Sequence, residues 1–148
     1  MTEEIKKRYL EILKDELIPA MGCTEPISLA YAAALARRIL GEIPSRTVLK
    51  VSANIIKNVK SVVVPNTGGL RGINAAVAAG IVAGDADAEL EVLAGITESQ
   101  KAEIAKYLET SEISVLPSGP STQWWRSVMV RSARGTSPQR FLPFLPMT

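Results

Sequence analysis

Two runs of small apolar residues constrain this chain more than any other feature. They are ISLAYAAALARRIL at positions 27–40 and INAAVAAGIVAG at positions 73–84. Alanine has the highest helix propensity. The first run therefore predicts a helix with Arg37 and Arg38 in its last turn and a stop at Gly41. The second predicts a buried helix, and it is too short for a bilayer, which needs about 20 residues. With aromatics at only 5% of the chain, the core they enter must be aliphatic.

Local punctuation places the remaining elements. Ile5, Tyr9, Ile12, Leu13 and Leu17 recur at helical spacing among charges and predict an amphipathic core helix over 3–17 that ends before Pro19. PAMGCTEP reads as a loop, with Thr24 or Glu25 as cap and Pro26 in the first turn of the helix that follows. TVLKVSAN alternates and is β-branched, which predicts a strand. NIIKNVKSVVVP suggests a short helical turn and then a strand at Val62–Val64, and PNTGGLRG is a loop. DADAELEVLAG predicts a further helix closed by Gly95, with its acids on a solvated face. Thr97 and Gln100 form a capping box opening a core helix over 98–108, and Ile113–Leu116 reads as a strand. The expectation is an α+β, helix-rich fold: about five helices with a few short strands and an irregular C-terminal tail.

The 148 residues make about one domain, and 47% hydrophobic with 22% charged residues is a globular balance. There is no histidine. That excludes Ser-His-Asp and Cys-His dyads, histidine metal sites and the commonest general base. One cysteine excludes an intrachain disulfide and a four-thiolate zinc site. A net charge of +2 argues against a nucleic-acid partner. The charged N-terminus lacks a signal core, so the expectation is a cytoplasmic protein with no membrane partner.

Composition changes abruptly near Leu116. Residues 1–115 carry 13 basic and 15 acidic side chains, whereas residues 116–148 carry 4 Arg and no acid, with both tryptophans, both phenylalanines and five of the nine prolines. The chain thus divides into 1–116 and a tail at 117–148. A Pro/Ser-rich linker is one reading of the tail. A shifted reading frame that has lost the true continuation is the other, and it is favoured. The tail is expected to be poorly ordered or badly packed, and a missing partner segment would leave an apolar face of the Ala/Val helices exposed.

Three constellations could carry chemistry. Cys23, just ahead of a helix N-terminus, faces the positive end of the macrodipole, which predicts a lowered thiol pKa and a thiolate that could act as base, nucleophile or metal ligand. A buried structural cysteine is the plainer reading, and Glu25 is better explained as a cap that complements the dipole. Asn54, Lys57 and Asn58 share one face if their segment is helical, and could bind a carboxylate or an amino acid; a solvated polar face would look the same. Asn66, Thr67 and Gly68 sit in PNTGG ahead of a helix. Glycine lets backbone N–H groups approach an anion, and Asn66 and Thr67 add side-chain donors. The spacing is neither a phosphate loop nor a dinucleotide fingerprint, and a plain turn is the bland alternative.

Taken together, PAMGCTEPISLAYAAALAR, KVSANIIKNVKSVVVPNTGGLRGINAAVAAG and GDADAELEVLAGIT resemble the iron–sulfur L-cysteine desulfidases, relatives of the alpha chain of iron–sulfur L-serine dehydratases. The resemblance covers residues 9–115. It implies β-elimination of L-cysteine to sulfide, ammonia and pyruvate on a [4Fe–4S] cluster, without pyridoxal phosphate. It would make Cys23 the cysteine near the active centre, as base or as a metal-ligating thiolate. Asn66, Thr67 and Gly68 would grip the substrate carboxylate, and Asn54, Lys57 and Asn58 would contact substrate or support those that do. A carboxylate held by donors and a metal on the leaving group would both lower the barrier to removing an α-proton.

A cubane cluster needs three or four thiolates, and this chain has one cysteine. The expectation is therefore a chain that binds no cluster and is inactive alone, unless a second chain carries the cluster cysteines. A non-catalytic amino-acid-binding or regulatory subunit is the alternative. A pyridoxal-phosphate enzyme with Lys57 as Schiff base is disfavoured, because no phosphate cup accompanies the lysine.

Overall fold

A computed structural model describes residues 2–17, 21–118, 125–131 and 139–141. Its helices are α1 (Glu3–Glu16), α2 (Thr24–Leu40), α3 (Ala53–Val59), α4 (Gly72–Ala83) and α5 (Glu98–Thr110). A short 3-10 turn spans Ala86–Glu91. Strands β1 (Arg46–Val51), β2 (Glu112–Pro117), β3 (Trp125–Arg131) and β4 (Gln139–Phe141) complete the described elements. The fold is α+β and helix-rich, as expected.

The sheet has the order β2-β1-β3-β4. β1 and β2 run parallel, from Arg46 opposite Glu112 to Val51 opposite Pro117. Parallel neighbours need a long crossover, and here it carries α3, α4 and α5. Two stretches of the tail are thus extended: β3 pairs antiparallel with β1, and β4 with β3. The expectation of an irregular tail otherwise falls on 119–124, 132–138 and 142–148, which lie outside the described residues.

The two small-residue runs form the centre of the core. Eight residues of α2 and ten of α4 are buried, and the two helices pack on each other. α5 covers α4 and contributes Ile104 and Tyr107. The expected exposed face on these Ala/Val helices is therefore not found.

The exposed apolar face lies on α1 instead. No residue of α1 is buried, and Ile5, Tyr9, Leu10, Ile12, Leu13 and Leu17 all stand open to solvent. This corrects the reading of that segment as a core element: amphipathicity marks an apolar face and does not say what covers it.

Two local expectations also change. The helix expected over 85–95 is only the 3-10 turn, broken at Glu89 (φ 46°, ψ −111°). The Asp85 side chain accepts from the Asp87 N–H while the Asp85 N–H donates to the Val92 carbonyl, closing the segment into a loop that a continuous helix could not form. The strand expected at Val62–Val64 is reduced to a single bridge between Val63 and Arg71.

Candidate functional site

α2 begins with Cys23 in the cap position, in extended conformation and without a side-chain capping bond. Pro26 occupies the first turn, where its missing N–H costs nothing. The exposed Cys23 thiol instead donates to Glu25 Oε2 at 2.8 Å. The other oxygen, Glu25 Oε1, accepts from Asn58 Nδ2 at 3.4 Å, across 33 positions of sequence. The carboxylate of Glu25 thus ties the start of α2 to the last turn of α3.

This geometry reverses the expected titration of the thiol. The bond to Glu25 is the largest cause raising the Cys23 pKa; desolvation and the nearby negative charge add to it, and the helical N–H of Glu25 opposes it. The helix end does act as expected on the thiolate, and the carboxylate outweighs it. Glu25 moves the opposite way: the bond from Cys23, its own backbone N–H and the Asn58 amide hold its carboxyl below the usual range. The pair at neutral pH is a thiol and a carboxylate.

The PNTGG turn lies beside this group. Gly22 has φ +108°, and a Cβ built there would meet Pro65 Cγ at 4.0 Å. Asn66 adopts the left-handed conformation (φ 57°). Its amide donates to the carbonyls of Leu93 and Ala94, both at 3.1 Å. Thr67 is buried, and its hydroxyl donates to the Val64 carbonyl at 2.8 Å. Both side chains therefore act here as braces of the turn, with their donors occupied inside the protein.

The backbone of the turn is differently disposed. Gly68 and Gly69 both have positive φ; the Gly69 N–H loosely closes the turn over 65–68, and among the described residues the Gly68 N–H donates to no protein carbonyl. Gly68 also faces the aliphatic stem of Lys101, whose ammonium pairs with Glu98.

The structure brings together the first loop, Asn58 and the PNTGG turn. Asn54 and Lys57 are exposed on α3 and, among the described residues, take no part in these bonds. Glu25, read from sequence only as a cap, is the hub of the group. No sequence signal marks Lys101, because nothing local links a lysine near the start of α5 to a turn more than thirty positions earlier.

Among the described residues, no three His, Cys, Asp or Glu side chains gather where they could hold a metal ion. A single thiol already donating to a carboxylate does not fit an iron–sulfur cluster. Neither is any helix among the described residues long and apolar enough to cross a membrane.

No family model matches the chain, and no solved structure does. It is similar to a UPF0597 protein of Desulfitobacterium hafniense, 61% identical over 107 residues, covering 72% of this chain and 25% of that protein. A UPF0597 protein of Treponema denticola is 50% identical over 105 residues, covering 71% and 24%. One of Finegoldia magna is 60% identical over 92 residues, covering 62% and 22%. These names overturn the resemblance drawn from the motifs: the relatives found are called neither desulfidase nor serine dehydratase, and neither lyase nor iron–sulfur protein. The loops are short and glycine-rich, so their text is a weak guide to chemistry. The chain spans about a quarter of the length of the curated relatives it matches.

Proposed function

We propose that this chain is a non-catalytic binding part for a small zwitterionic amino acid, held between Glu25 and the Gly68–Gly69 turn. The observation that carries the reading is the Glu25 carboxylate, kept ionised by donors from Cys23 and Asn58. A fixed negative charge favours an ammonium group. The Gly68 N–H, which donates to no protein carbonyl among the described residues, with the loosely held Gly69 N–H beside it, favours a carboxylate, and the Lys101 stem is adjacent. Backbone donors serve this role better than Asn66 and Thr67, whose side chains brace the turn. The setting that suits an exposed thiol is reducing, which fits a cytoplasmic protein.

Titration calorimetry with L-serine and L-cysteine tests this. Saturable binding by the full chain is expected, with propionate, which lacks the ammonium, binding at least about tenfold more weakly. Glu25→Gln should remove the preference for the amino acid over propionate. Equal affinity for the two ligands, or an unchanged preference in Glu25→Gln, would refute the reading.

A further inference from the structure

We infer that α1 pairs antiparallel with α1 of a second copy of this chain, with Lys6 opposite Glu16 of the other copy. The helix is amphipathic, yet none of its residues is buried, and six large apolar side chains stand exposed on it and its C-cap: Ile5, Tyr9, Leu10, Ile12, Leu13 and Leu17. Spaced at 3.6 residues per turn, these six fall on one broad stripe. Two charged residues fall inside that stripe, Lys6 near its start and Glu16 at its end.

A two-fold axis across the middle of the helix uses both. It sets Ile5 against Leu17, Tyr9 against Leu13 and Leu10 against Ile12. The same register sets Lys6 against Glu16 twice, once on each side of the axis. Like flanks face each other in an antiparallel pair, so Arg8 comes to Asp15 along one flank and Lys7 to Lys14 along the other; these offset each other, and the two Lys6–Glu16 pairs carry the charge complementarity. Among the described residues of one copy, Lys6 and Arg8 make only long, exposed contacts to Glu3 and Glu4, both at 3.9 Å. Asp15 and Glu16 form no ion pair among the described residues. A parallel pair would place Lys6 on Lys6 and Glu16 on Glu16, so charge selects the antiparallel arrangement.

The same charges disfavour a membrane surface as the occupant. Lipid-binding helices concentrate Lys and Arg on their polar face, whereas α1 carries four basic and five acidic side chains. A helix of 14 residues is only about 21 Å long. Its interface falls at the small end of stable contacts, so the pair should dissociate on dilution.

Sedimentation velocity on the full chain, with reductant present so that Cys23 cannot cross-link copies, decides the matter. The mass should rise from monomer to dimer between micromolar and near-millimolar concentration. Lys6→Glu and Glu16→Lys should each weaken dimerisation about fivefold or more, and the double exchange should restore it to within about twofold. Leu13→Asp should leave a monomer. Because α1 buries nothing in the core, thermal unfolding should be unchanged in every variant, which separates loss of pairing from loss of fold. A monomer at all concentrations overturns the inference. So does a dimer indifferent to Leu13→Asp, a double exchange that restores nothing, or a monomer that binds anionic vesicles instead.

Discussion

Gly80 of α4 rests on the main-chain carbonyl of Ala30 of α2. A Cβ at position 80 would fall 2.8 Å from the Cα and the carbonyl carbon of Ala30, and closer still to its oxygen. One turn later a Cβ on Gly84 would fall 2.8 Å from the Ala34 side chain. The two Ala-rich helices approach this closely because small residues at i and i+4 of one meet small residues at i and i+4 of the other. Gly80→Ala would force the helices apart. We expect a loss of about 3 kcal/mol, the upper end of overpacking costs because backbone must yield, read by urea denaturation. Gly95→Ala is the control: nothing lies within 4 Å of its Cβ position, and its stability should stay within about 0.5 kcal/mol of the parent. Equal effects at both positions would mean that the close approach is not limiting.

The Cys23–Glu25 pair makes a prediction about reactivity. Ionising the thiol breaks its bond to Glu25 and puts two negative charges side by side, so the thiol pKa is raised. Glu25→Gln removes the charge, and an amide can donate to a thiolate. Alkylation of Cys23 by iodoacetamide at neutral pH should then accelerate on the order of several-fold. An unchanged or slower rate would show that Glu25 does not hold the proton on sulfur. The linkage runs both ways. Glu25, lowered in the fold, contributes stability that is lost as pH falls through its lowered pKa. Cys23, raised in the fold, contributes stability that is lost as pH rises through its raised pKa.

The sequence exposed this site only in pieces. Capping chemistry is local, so the Thr97–Gln100 box, the Gly41 stop and the alternating β1 strand are legible from a few neighbouring residues. The bond from Asn58 to Glu25 spans 33 positions and depends on how α2 and α3 meet, which no local pattern encodes. The sequence predicts the wrong direction for the thiol pKa for a related reason. A helix end is visible in sequence, but the rotamer that swings the Glu25 carboxylate onto Sγ is not. At 85–95 the acids and leucines suggested a helix, and the long-range closure of Asp85 onto Val92 prevents one.

Tyr107 anchors α5 to the loop ahead of β1. Its hydroxyl donates to the Pro44 carbonyl at 2.7 Å, 63 positions away, and burial raises its pKa. Tyr107→Phe keeps the ring and leaves a buried carbonyl without its donor. A loss of about 1–2 kcal/mol is expected in chemical denaturation. Since the folded pKa is raised, the tyrosine's own contribution persists through neutral pH and fades as pH climbs through that raised value. The Phe variant should lack this alkaline decline. If parent and variant lose stability in parallel above neutral pH, Tyr107 is not its source.

Asn66 carries two roles that substitution can separate. It is left-handed, with φ 57°, and its amide holds the Leu93 and Ala94 carbonyls. Asn66→Ala loses both bonds and adds backbone strain, since a Cβ without a local polar partner disfavours that conformation by about 1–2 kcal/mol. Asn66→Gly loses the same bonds but removes the strain. Alanine should therefore cost more than glycine by about 1 kcal/mol, with glycine itself below the parent by about 1–2 kcal/mol for the bonds. Both variants should release the loop over 92–96, read as faster amide exchange there. Were Asn66 a ligand-gripping side chain and not a brace, both variants would keep parental stability and exchange while losing amino-acid affinity. Thermal denaturation paired with calorimetry on the same samples distinguishes the two roles.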